Sequence, residues 1–175
     1  YIETVARRFG QQDANPVYSP ADKNLQLRKD MPGETCPGDY RALVGSLIYA
    51  VQTRPDVATI VSSLSRYLDC PTSTHWSAAI RVLRFLYTTR HKSLLFQPTI
   101  NKGSELAVYV DASYNSDPDT SRSRSGYIIL FNGCPIAWRS NMQPIVTRSS
   151  CEAEYIALSD TGREAIWLKR LATEI

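Results

Sequence analysis

No apolar stretch in this sequence approaches the ~18 residues of a membrane-crossing helix, so nothing in it reads as a membrane span. Cysteine is sparse and scattered. Cys36, Cys70, Cys134 and Cys151 form no CxxC pair, and only Cys70 has a histidine, His75, at even a loose ligand spacing. That pattern argues against a zinc ribbon and predicts thiols used as small buried hydrophobes. An initiator methionine and a signal-peptide pattern are also missing, and Tyr1 opens a polar helix. The sequence therefore reads as an internal piece of a soluble intracellular protein. Charge excess is lacking too: 20 Lys+Arg against 17 Asp+Glu leave a formal net charge of +3. Basic residues nevertheless gather around 81–92 and 122–124, which predicts basic faces on a nearly neutral protein. No repeat or low-complexity tract is present.

What is present divides by hydrophobic period. Ile2, Val5 and Phe9, closed by Gly10, predict a short amphipathic helix. Residues 11–38 carry Pro16, Pro20, Pro32 and Pro37 among few large apolar residues and read as a linker or an extended wrap. Leu43, Leu47, Ile48 and Val51 then recur at helical spacing, and Pro55 suits the first turn of a second helix running through Ile60, Val61, Leu64 and Leu68 to Cys70. A third helix carries Trp76, Ala79, Ile80, Leu83, Leu86 and Tyr87 on one stripe, which completes a small bundle. Its other face bears Arg81 and Arg84. After Lys92 the period becomes two, with strands expected at Ser93–Phe96, Leu106–Asp111 and Tyr127–Phe131. Asn132-Gly133 predicts a type I′ hairpin into Pro135–Trp138. Ser149-x-x-Glu152 matches a capping box and opens a long helix. The expected class is α+β, with a leading segment 1–38, a helical segment 39–92 and a sheet-and-helix segment 93–175.

Two acids stand where this pattern can build a site for a divalent cation. Asp111 ends an alternating strand, and Glu154 lies near the start of the long helix. A strand carboxylate facing a helix carboxylate supplies hard oxygen ligands. Glu152 is occupied by the capping box, which leaves Glu154, two residues on, free to turn toward the sheet. Ser113, Arg122, Arg124 and Arg139 surround the same region as candidate contacts to a nucleic-acid backbone, with Arg81 and Arg84 as a second basic face. Asn115–Asp119 superficially resembles a calcium loop, but Thr120 and Gly126 occupy positions that need Gly and Glu, so a solvated hairpin loop is expected instead.

The segments VYVDASY (108–114), SRSGYIILFNGCPIAWRSNMQ (123–143) and TRSSCEAEYIAL (147–158) resemble the ribonuclease H domain of copia-type retrotransposon polyproteins, in the same order. Upstream, YIETVARRFG, DYRALVGSLIYAVQTRPDVATIVSSLSRY and HWSAAIRVLRFLYTT are similar to the stretch joining reverse transcriptase to that domain. The resemblance implies a ribonuclease H-like fold opening at residue 93, cutting the RNA of an RNA/DNA hybrid with two magnesium ions, for which manganese can substitute. It assigns Asp111 and Glu154, not Glu152, to the acid cluster. It further implies a third and a fourth acid beyond residue 175, so that this stretch alone holds metal weakly, and a cytoplasmic, virus-like-particle setting for the parent element. The paired aspartates of the polymerase are absent, so no DNA synthesis is expected here. The alternative is a catalytically dead nucleic-acid-binding or regulatory remnant.

Overall fold

The change of period is a change of unit: residues 1–93 and 94–175 form separate compact bodies. The computed structural model describes residues 1–22, 24–96 and 105–174 and is α+β, with a three-stranded antiparallel sheet.

In the first unit, α1 (Ile2–Arg8), α2 (Tyr40–Val51), α3 (Ala58–Leu64) and α4 (Ser73–Thr88) close around one core. α4 packs against each of the other three: Ala79, Leu83 and Leu86 of the expected stripe are fully buried, together with Val82, which lies outside that stripe, while Trp76, Ile80 and Tyr87 are partly buried. Asp39 caps α2 by accepting from the Ala42 N–H at 2.9 Å. His75 takes the place of the usual Glu or Gln in the capping box of α4, its Nδ1 accepting from the Thr72 N–H at 3.1 Å. It is wholly buried beside the rings of Tyr40 and Tyr67. The second predicted helix is shorter than expected. It is α3 between two 3-10 turns, Pro55–Val57 and Ser65–Tyr67, and stops short of Cys70. The cause is local: Ser63 Oγ donates to Thr59 O and Ser65 Oγ to Ser62 O, hydroxyl bonds that compete with the helical ladder and tighten its end.

The described residues of segment 11–38 form an extended wrap. Val17 N–H donates to Thr88 Oγ1, Tyr67 OH to Leu27 O, and Thr74 Oγ1 to Pro32 O. Leu27, together with Val5 and Ala6 of α1, belongs to the same core. The buried Arg54 closes the other end of α4, donating to Thr89 O and Thr89 Oγ1 while paired with Asp56 at 2.6 Å. A cation at a helix C-terminus is favoured by the exposed carbonyls there.

In the second unit, β1 (Leu106–Ser113), β2 (Arg124–Phe131) and β3 (Cys134–Met142) form a meander in the order β1-β2-β3, covered by α5 (Ser150–Glu174). Ser93–Phe96 is not a strand: it has no partner among the described residues, and Leu95 and Phe96 are exposed. Asn132 and Gly133, both at positive φ (50° and 80°), make the expected two-residue hairpin between the Phe131↔Cys134 pair. Pro135 has no N–H for the ladder, and the β2/β3 register slips between Ile129 and Leu130. α5 lies on β1 and β2 through Ala153, Ala157 and Thr161, one helical stripe. Among the cysteines only Cys134 is buried; Cys70 and Cys151 are exposed, so the expectation of buried thiols fails for them. No described helix is long and apolar enough to cross a membrane.

Candidate metal and nucleic-acid site

The site begins with strand alternation. In β1, Ala112 pairs with Ser125 and Asp111 with Gly126. Ser125 faces α5, because Gln143 Nε2 donates both to Ser125 Oγ (2.9 Å) and to the Ala153 carbonyl of α5 (2.8 Å). Paired residues share a face and neighbours along a strand alternate, so Ala112 lies under α5 and Asp111 on the open face. The expectation that Asp111 faces the helix is thereby corrected. Its carboxylate shares the open face with Ser113 and Arg124, and the residues across the ladder from it, Gly126 and Ser140, are small. The result is a flat platform with room beside the acid.

Glu154 sits next to Ala153, in the second turn of α5, and is exposed, as is Asp111. At about 100° per residue, Asp160 and Arg163 fall on one side of the Ala153–Ala157–Thr161 stripe and Glu154 on the other. The first group lines a groove of about 560 Å³ with Tyr127, Arg139 and Asn141, on the β2–β3 side. Glu154 therefore looks toward β1, one of the two edge strands among the described residues. The Gln143 bridge ties Ala153 to Ser125, so Glu154 directly follows one end of the bridge and Asp111 directly precedes Ala112, the strand partner of the other end. Any meeting of the two is round the β1 edge. No group of three or more His, Cys, Asp or Glu residues lies together among the described residues, so the donor set suits a hard divalent cation in kind but is small in number.

The capping expectation holds with one shift. Ser149 Oγ accepts from the Glu152 N–H at 3.1 Å, and Glu152 Oε2 accepts from the N–H of Arg148, one residue before the cap, at 2.7 Å. Glu152 is thus spent on the helix start. The β1–β2 loop is less solvated than predicted. Asp117 is buried, with its carboxylate accepting from the N–H and hydroxyl of Thr120. Ser123 Oγ joins Thr147 Oγ1 at 2.7 Å and accepts from the Asn115 N–H, tying this loop to the segment before α5.

The basic candidates separate. Arg124 opens β2 on the Asp111 face, and Arg122 is exposed in the adjoining loop. Arg139 is on the α5 face beside Tyr127. Burial, with Glu164 adding and Arg139 opposing, holds the Tyr127 hydroxyl above its ordinary range. In the first unit Arg81 donates to Ser19 O and Arg84 to Asn15 O at 2.6 Å, so both hold the wrap. Sequence reasoning missed Gln143 altogether. A lone glutamine after a strand carries no spacing signal.

The chain is 41% identical, over its whole length, to the retrovirus-related Pol polyprotein from transposon TNT 1-94 of Nicotiana tabacum, of which it spans 14%. It is 42% identical over 71% of its length to the putative transposon Ty5-1 protein of Saccharomyces cerevisiae, spanning 41% of that protein. It is also 43% identical over 74% of its length to the secreted RxLR effector protein 161 of Plasmopara viticola, spanning 90% of it. The chain is homologous to a region of retrotransposon Pol polyproteins and spans 9–14% of the plant polyproteins it matches. No family model matches it, and no solved structure does.

Proposed function

We propose that the second unit is the opening part of a ribonuclease H-like nuclease within a reverse-transcribing Pol polyprotein, acting on the RNA strand of RNA/DNA hybrids. The observation that carries this reading is the pair of exposed carboxylates flanking the Gln143 bridge in a segment homologous to Pol. Asp111 and Glu154 would hold the divalent cation, magnesium or manganese in its place. Bound there, the metal would supply an activated water and charge stabilisation for the leaving 3′ oxygen. The chain's own residues do the rest. Small Gly126 and Ser140 let a duplex approach the open face, Ser113 reaches a ribose hydroxyl, and Arg122 and Arg124 neutralise phosphates beside it. Arg139, on the far face, and Arg81 and Arg84, engaged with the wrap, fall outside this contact set.

A second reading has its own observation. A relative of which this chain spans 90%, matched over 74% of the chain, carries the name of a secreted effector, which favours a remnant that binds or regulates without cutting. A labelled RNA/DNA hybrid with the chain and millimolar manganese separates the two. Cleavage of the RNA strand, slowed on the order of 100-fold or more in Asp111→Asn, supports the nuclease. Salt-sensitive binding without cleavage supports the remnant, and neither cleavage nor binding at low salt overturns both.

A further inference from the structure

Gln143 is the least expected residue of the second unit. It is 1% exposed, and its amide nitrogen makes two side-chain hydrogen bonds while its Oε1 is buried with no protein partner. The orientation of the amide is settled by chemistry: the Ala153 carbonyl can only accept, so the NH₂ group must face it. An unpartnered buried carbonyl is a net cost to the folded state. An apolar side chain of the same length would avoid that cost, so filling space does not account for a glutamine here. The two donated bonds do. One ends on Ser125, the strand partner of Ala112, and the other on the backbone of α5 immediately before Glu154. The backbone N–H of Gln143 also donates to Ser123 O at 2.8 Å, which fixes the residue against the start of β2.

The apolar contact between α5 and the sheet is weak in directional terms. Ala153 and Ala157, both small, are the buried apolar residues of the helix that packs on β1 and β2, and so smooth a surface permits a helix to slide or rotate by a fraction of a turn. A rotation of that size would swing Glu154 away from the β1 edge without breaking any large apolar contact. A hydrogen bond to one named backbone carbonyl forbids it.

We propose that Gln143 is a positioning residue, a clamp that fixes the rotation and height of α5 on β1 and β2 so that Glu154 stands at the same strand edge as Asp111. It touches neither substrate nor metal and acts through Glu154. The inference rests on the reading of Asp111 and Glu154 as one cation site. The test is a manganese titration of the full chain followed by paramagnetic broadening of assigned amide resonances, which reads weak sites and needs no activity. In the wild type the amides of Ala112 and Ala153 broaden together at substoichiometric manganese, and Asp111→Asn abolishes the broadening of both. Gln143→Met keeps the volume and removes the clamp; its Ala112 amide still broadens, while broadening of Ala153 falls at least several-fold. Ser125→Ala, which removes only the strand end of the clamp, gives the same separation in smaller measure, and preserved spectral dispersion shows that either variant is folded.

Joint broadening in Gln143→Met equal to that of the wild type overturns the clamp and leaves the shared site standing. Failure of Ala112 and Ala153 to broaden together in the wild type overturns the shared site, and the clamp with it. A loss of thermal stability in Gln143→Met with unchanged joint broadening marks the residue as structural only and also overturns the proposal.

Discussion

The two units bury different things. The helical unit encloses a continuous aliphatic core running from Val5 through Leu43, Leu47, Val61, Leu64 and Leu83 to Leu86. Among the described residues of the second unit, the buried hydrophobics are Ile129, Cys134, Ala153 and Ala157. The rest of its interior is polar: Asp117, Ser123, Ser125, Gln143, Thr147 and Thr161. Apolar burial stabilises by area and tolerates small shifts, whereas a buried hydrogen-bond network has one good geometry and loses heavily when disturbed. The difference teaches where rigidity without bulk is wanted. The first unit is held together by volume, and the second by directed bonds that gather at the start of β2, the β1–β2 loop and the segment leading into α5.

The largest effect is expected from removing the one large aliphatic side chain that is fully buried among the described residues of the second unit. Ile129→Ala deletes a contact worth about 2–5 kcal/mol from a thin core. The expected outcome, by residue-resolved hydrogen exchange, is loss of the slow-exchanging amides of β1–β3 while α2 and α4 stay protected. Equal loss in both units would show that they do not fold separately. Leu83→Ala, the same chemistry in the thick core, should cost a similar ~2–5 kcal/mol, and the helical unit should remain folded at a lower midpoint, leaving the sheet unchanged. A smaller effect, visible only in alkali, sharpens the contrast further. The Tyr40 hydroxyl donates to Leu64 O inside the core, and burial pushes its ionisation far above the ordinary tyrosine range. Its contribution is intact below the unfolded value of about 10 and is lost as pH rises past it, since the unfolded chain then gives up the proton first. Denaturation of the helical unit between about pH 10 and pH 12 should therefore become easier with pH, and Tyr40→Phe should flatten that slope.

The fold was legible in the sequence where the signal is periodic. The α4 stripe, the Asn132-Gly133 hairpin and the Ser149 cap each rest on local chemistry that repeats or has a fixed spacing. What depended on distant partners was not legible. Ser93–Phe96 alternates like a strand but has no described neighbour to pair with. The second helix breaks because serine hydroxyls bond its own carbonyls. Arg81 and Arg84 look like a phosphate-binding face until the wrap is seen to occupy them. At the site, the residue types at 111 and 154 were readable. The face on which Asp111 lies follows from pairing and packing, which only the structure supplies, and Gln143 is recognisable only once its two partners are known.

The central claim is that Asp111 and Glu154 serve one cation. Manganese affinity measured by electron paramagnetic resonance on the wild type, Asp111→Asn, Glu154→Gln and the double variant tests it directly. Coupling predicts that each single change weakens binding on the order of 10-fold or more and that the double variant binds no more weakly than the worse single, because the shared ion is already lost. Losses that simply add, or no loss in either single variant, would contradict it.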